Sequence, residues 1–70
     1  MIPLDLADIG KENVIKKVGG SPDVKKHLED LGFTAGGLVT VVSAIGGNVI
    51  VKVKESRIAI SREMARRIMI

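Results

Sequence analysis

Residues 38–60 read LVTVVSAIGGNVIVKVKESRIAI. Val39 and Val41 recur at every second position, and so do Val49, Val51 and Val53, with Lys52 and Lys54 falling between or beside them. A period of two is the mark of a strand with one face buried and one in water. Two strands are expected, Leu38–Ala44 and Val49–Lys54. Ile45-Gly46-Gly47-Asn48 joins them as a hairpin, because glycine accepts the positive φ that tight hairpin turns demand. Glu55-Ser56 supplies a second tight turn into a third strand, Arg57–Ile60.

On the N-terminal side of this stretch lies a helix signal. Ser21 is suited to cap the free N–H groups of a first turn, and Pro22 at the first helical position sacrifices no intrahelical bond. Asp23 complements the helix dipole. Val24, Leu28 and Leu31 then form one apolar stripe at i, i+4 and i+7. Gly32 can take the left-handed conformation that ends a helix, and Phe33 can fold back on Leu28. The helix is expected over about 22–31. Asn13–Val18, rich in β-branched residues and closed by Gly19-Gly20, reads as an earlier strand. After the hairpins, Ser61 caps a short helical turn near 61–67 with Met64 and Ala65 facing inward, and Ile68–Ile70 is a last strand. The chain is therefore mainly β: five short strands, one short helix and one helical turn, a pattern that fits a small closed or nearly closed barrel. Closure would remove the open edges that so many Val and Ile residues make hazardous.

Seventy residues form a single domain, 1–70, with a thin core. Cysteine is absent, which excludes disulfides and thiolate metal sites. No apolar run is long enough for a membrane-spanning helix. The opening MIPLDLADIG carries Asp5 and Asp8 and no basic cluster, unlike a signal peptide, so a cytoplasmic protein is expected.

The net charge of +3 is unevenly spread. Residues 1–49 hold five Lys against six acids, whereas residues 50–70 hold six cations against two acids. Lys52, Lys54, Arg57, Arg62, Arg66 and Arg67 are thus the candidate contacts for an acidic partner. The same cations also serve as ordinary solvated surface. A nucleic-acid reading lacks the aromatic platforms on which single strands stack, since Phe33 is the one aromatic residue and the helix stop uses it. No nucleic acid is expected. Nucleophilic catalysis is not expected either: there is one histidine, and Ser43, Ser56 and Ser61 have no base near them in sequence. Asp23, His27 and Asp30 fall at i, i+4 and i+7 on one helix face, a donor set that suits a divalent ion. The simpler reading gives Asp23 to the helix dipole and pairs Asp30 with Lys26. No resident cofactor is evident. Ile45 and Ile50 are candidate apolar anchors, and a symmetric homodimer is the competing use of such a face.

Leu28-Glu29-Asp30-Leu31-Gly32-Phe33-Thr34-Ala35-Gly36 followed by Val39 and Val41 resembles the core signature of the FeoA family (ferrous iron transport protein A). Arg57-Ile58-Ala59-Ile60 with Ala65, Ile68 and Ile70 resembles its closing segment, and Leu4, Leu6, Gly10 and Ile15 fall where the family has its opening strand. Each motif is only an apolar spacing with a turn glycine; their joint order over nearly the whole chain is what tells. The chain departs from the family pattern at Ala35, where a proline is common, and at His27, where a basic residue is usual. The resemblance implies an SH3-like barrel in the cytoplasm. It implies an accessory role in ferrous iron transport beside the FeoB-type membrane GTPase, reached by docking, with membrane contact only through that partner and no activity of its own. Similar barrels close the diphtheria-toxin-repressor type of metalloregulator. The alternatives are therefore a metal-responsive or nucleic-acid-binding small barrel, or the stand-alone equivalent of a metalloregulator's SH3-like domain.

Overall fold

The computed structural model describes residues 1–70. The two hairpins form its centre. Strands β3 (Leu38–Ile45), β4 (Asn48–Val53) and β5 (Ser56–Ser61) are antiparallel neighbours, and β1 (Glu12–Val14) pairs with the far side of β3. Ile45 pairs directly with Asn48, so the first hairpin loop is Gly46-Gly47 alone, with Gly46 at φ 58°. The second loop is Lys54-Glu55, because Val53 pairs with Ser56. That moves the turn one residue earlier than the expected Glu55-Ser56. Lys54 leaves the strand for the turn and takes φ 56°, the one non-glycine residue in the left-handed region.

The helix forms where expected. Helix α1 spans Pro22–Asp30, and the Ser21 hydroxyl oxygen accepts from the Val24 N–H at 3.3 Å. Its end is a Schellman motif: the Phe33 N–H donates to the Leu28 carbonyl and the Gly32 N–H to that of Glu29, both at 3.0 Å. Gly32 sits at φ 109°, and Leu28 and Phe33 are both fully buried. Helix α2 is one turn, Arg62–Ala65, capped by Ser61, whose hydroxyl accepts from the Met64 N–H at 3.1 Å. Ala65 is fully buried and Met64 half-buried.

Two expectations change. The single strand expected over Asn13–Val18 is two, β1 and β2 (Lys17–Val18), because the chain crosses between sheets at a buried Ile15. The Ile15 N–H still donates to the Gly37 carbonyl, while the next N–H, Lys16, donates to Met69. β2 then pairs with β6 (Ile68–Met69), giving six strands in two sheets in place of five. The opening segment is not a strand: Leu4–Leu6 is a 3-10 turn that buries Leu4 and leaves Leu6 exposed. Ile2 and Ile70 exchange backbone bonds at 2.8 and 2.9 Å, tying the two chain ends together.

The inner faces share one apolar cluster. It holds Val39, Val41, Val49, Val51, Val53 and Ile60 from the large sheet, with Leu4, Ile15, Leu28, Phe33, Ala65 and Ile68 packed on them. No polar or charged residue is buried. The surface of 4354 Å² is close to the ~4,200 Å² that size scaling gives a 7.5 kDa chain. The barrel is nearly closed, with one edge left open. β5 ends the four-stranded sheet, and neither sheet supplies it a second neighbour.

Candidate docking surface

The six candidate cations do not form one strip. Lys54 sits in the turn at one end of the β4–β5 hairpin, and Lys52 pairs with Arg57 close to it. Arg62, Arg66 and Arg67 follow β5 at its other end, where the Arg62 N–H donates to the Gly47 carbonyl at 3.0 Å. A strand rises ~3.3 Å per residue, so Arg57 and Arg62 stand roughly 16 Å apart along the chain.

The two groups also differ electrostatically. Arg66 Nε donates to Asp5 Oδ2 at 3.2 Å, and only 9% of the Asp5 side chain is exposed. Asp5 Oδ1 has no partner within the protein. Arg67 lies 3.9 Å from Glu63 one turn back on α2. Lys52, Lys54, Arg57 and Arg62 make no ion pair, and all four are exposed. The sequence could not show this division, because Asp5 lies 61 residues from Arg66.

Of the unpaired cations, Lys52 and Arg57 stand on the outer face of the large sheet and Lys54 in the turn beside them, whereas Arg62 begins α2 at the other end of β5. Register places Glu12, Thr40, Lys52 and Arg57 in one row across all four strands. The neighbouring row begins with Val14 opposite Leu38, both about half exposed. Beyond the charged row, Ile50 lies opposite Ala59. A groove of about 370 Å³ opens on this face, lined by Glu12, Leu38, Thr40, Lys52 and Lys54 over a floor that includes Gly32 and Gly36-Gly37. Lys52 and Lys54 outweigh the single Glu12 in its lining and give the groove a net positive charge.

The remaining site residues fall elsewhere. Asp23, His27 and Asp30 lie exposed along α1, and nowhere does the chain gather three His, Asp or Glu side chains in reach of one ion. Asp30 and Lys26 form no ion pair. Ile45 is strongly exposed at the first hairpin, whereas Ile50 is half-buried. A second hollow of about 280 Å³ lies where Val24 faces Met64, Glu63 and Arg67. No helix is long and apolar enough to cross a membrane.

A four-stranded antiparallel sheet folded over a two-stranded one, with a capped helix between β2 and β3, defines an SH3-like barrel. The solved FeoA of Stenotrophomonas maltophilia, a zinc complex described as a prokaryotic SH3 domain protein, superposes with a TM-score of 0.86. It is 23% identical, and the match covers 99% of this chain and 88% of that one. The same fold recurs in a manganese-dependent transcriptional repressor, with a TM-score of 0.84 and 13% identity over 94% of this chain and 38% of that one. The particular family follows from sequence: the FeoA domain matches residues 2–70, and the chain belongs to the FeoA family. A proposed Fe(2+) transport protein A of Methanocaldococcus jannaschii is 34% identical over all 70 residues of this chain, covering 85% of its own length.

Proposed function

We propose that this chain is a cytoplasmic accessory protein of ferrous iron transport that docks onto a FeoB-type membrane GTPase. The observation that carries the reading is family membership over residues 2–70, in a family whose Methanocaldococcus member bears the name Fe(2+) transport protein A. The Stenotrophomonas FeoA is described as a candidate activating factor of ferrous iron transport, which is in keeping with an accessory role. Iron is then cargo of the partner. The surface supports docking: an apolar pair, Val14 and Leu38, lies beside Lys52, Lys54 and Arg57, three cations that form no ion pair within the chain. Unpaired cations raise the encounter rate with an acidic surface and fix its orientation.

The test is retention of the chain on the purified cytoplasmic GTPase domain of a FeoB protein, at low and at raised salt. Retention should weaken with salt. Charge reversal at Lys52, Lys54 and Arg57 should abolish it, and reversal at the already paired Arg66 and Arg67 should change it little. Absence of retention, where other family members are retained, would overturn the reading.

A further inference from the structure

We propose that the free edge of β5 is a strand-addition site for an extended segment that alternates acidic and apolar residues. The proposal rests on the docking reading for its purpose and adds the mode of contact.

The argument starts from hydrogen-bond parity. Val53 and Ser56 flank a two-residue loop, so they exchange both of their backbone bonds. Alternation then makes Val51–Ile58 and Val49–Ile60 bonded pairs too. Lys52–Arg57 and Ile50–Ala59 are the non-bonded pairs between them. The N–H and C=O groups of Arg57 and Ala59 therefore point away from β4. β5 is the last strand of its sheet, and outside the ladder neither residue makes a backbone bond. Both are exposed.

Such an edge is a template for another strand. Its chemistry selects the occupant. Ser56–Arg62 reads SRIAISR, two cations and no acid. A strand laid beside it would put alternate side chains on the outer face, near Arg57 and Lys52. The others would fall toward the half-buried Ile58 and Met64. Carboxylates suit the first set and aliphatic groups the second. A second copy of this chain is the wrong occupant, because pairing β5 with β5 brings Arg57 and Arg62 of both copies onto one seam, and like charges across strands repel. The acids nearest in sequence are Glu55 in the turn and Glu63 on α2, and Glu63 is held by Arg67. A competing reading gives Arg57 the single task of keeping the edge from aggregating.

The probe is a capped nonapeptide alternating Glu and Val, titrated into the isotope-labelled chain at low salt. Amide exchange is the readout. In the free chain the Arg57 and Ala59 amides should exchange fast beside protected Ile58 and Ile60. At saturation they should slow by about tenfold or more. A peptide N-methylated at alternate residues, or one with Lys for Glu, should not protect them. Ala59→Pro removes only an outward N–H, a position where edge strands accept proline, and should abolish protection elsewhere along β5. Arg57→Glu should weaken peptide binding about tenfold. Unchanged exchange at Arg57 and Ala59, or equal protection by the N-methylated peptide, would overturn the proposal. The same variants on the FeoB GTPase domain separate the two readings. If wild type and folded Ala59→Pro are retained equally, the edge inference fails and docking stands. If peptide pairing occurs but no variant is retained, the edge stands and the transporter reading fails.

Discussion

The β4–β5 hairpin shows two faces built from the same twelve or so residues under different rules. On the inner face Val49, Val51, Val53 and Ile60 are packed against the sole aromatic residue and the helix. On the outer face Lys52 and Arg57 stand directly opposite each other with no acid between them. Theirs is a non-bonded pair, in which Cα atoms approach to ~4.5 Å, and like charges so placed destabilise a sheet. The inner face is what stability selects. The outer face keeps an arrangement that stability alone would not select.

The contrast predicts that core changes act on folding and leave the outer chemistry untouched. Phe33→Ala should show the largest effect, a loss of about 3–5 kcal/mol in denaturant unfolding. Phe33 is fully buried at the Schellman stop and belongs to the single core cluster, so its removal opens a cavity in that core. In a chain this small, a loss of that size approaches the whole stability, and the variant should be largely unfolded at room temperature. A well-folded Phe33→Ala protein would mean that the inner face is not what holds the hairpin.

A sharper comparison sets Gly32 against Lys54, which line the same groove. Both hold positive φ, 109° and 56°. Gly32→Ala should cost about 1–2 kcal/mol through the backbone alone, because an added Cβ would meet Val53 methyls at an ordinary 3.7 Å. Lys54→Gly runs the other way. It should gain up to about 1 kcal/mol by relieving a left-handed lysine, offset in part by glycine's extra freedom when unfolded. The same variant should bind the FeoB GTPase domain less well. A gain in thermal unfolding together with a loss of retention would show that the turn trades stability for its cation.

How much of this was legible depended on range. The helix, its Ser21 cap, its Gly32 stop and the first hairpin could be read because their causes lie within a few residues of one another. The Lys54-Glu55 turn could not: neither residue is a turn former, and tertiary pairing of Val53 with Ser56 forces lysine into a conformation its type disfavours. The break at Ile15 is also invisible in sequence, since β-branched residues run through it and only the change of partner from Gly37 to Met69 divides the strand. For the candidate surface, the excess of cations in the last third was plain. Their division was not, because the acid that takes Arg66 comes from the opposite end of the chain.

The smallest expected stability effect is the most informative one. Arg57→Glu places a carboxylate opposite Lys52 in the non-bonded pair, turning a repulsive contact into an attractive one. Cross-strand pairs of this kind contribute roughly 0.2–1 kcal/mol, and exposure puts the expected gain at the low end, a few tenths. Thermal unfolding should therefore rise slightly, and raised salt should shrink the gain. Retention on the FeoB GTPase domain should fall in the same variant. A surface kept only for solubility would make the substitution neutral or favourable in every assay. A surface kept for an acidic partner makes it favourable for folding and harmful for contact. The two signs must be opposite if the outer face of β4 and β5 is held in its repulsive arrangement by what it binds.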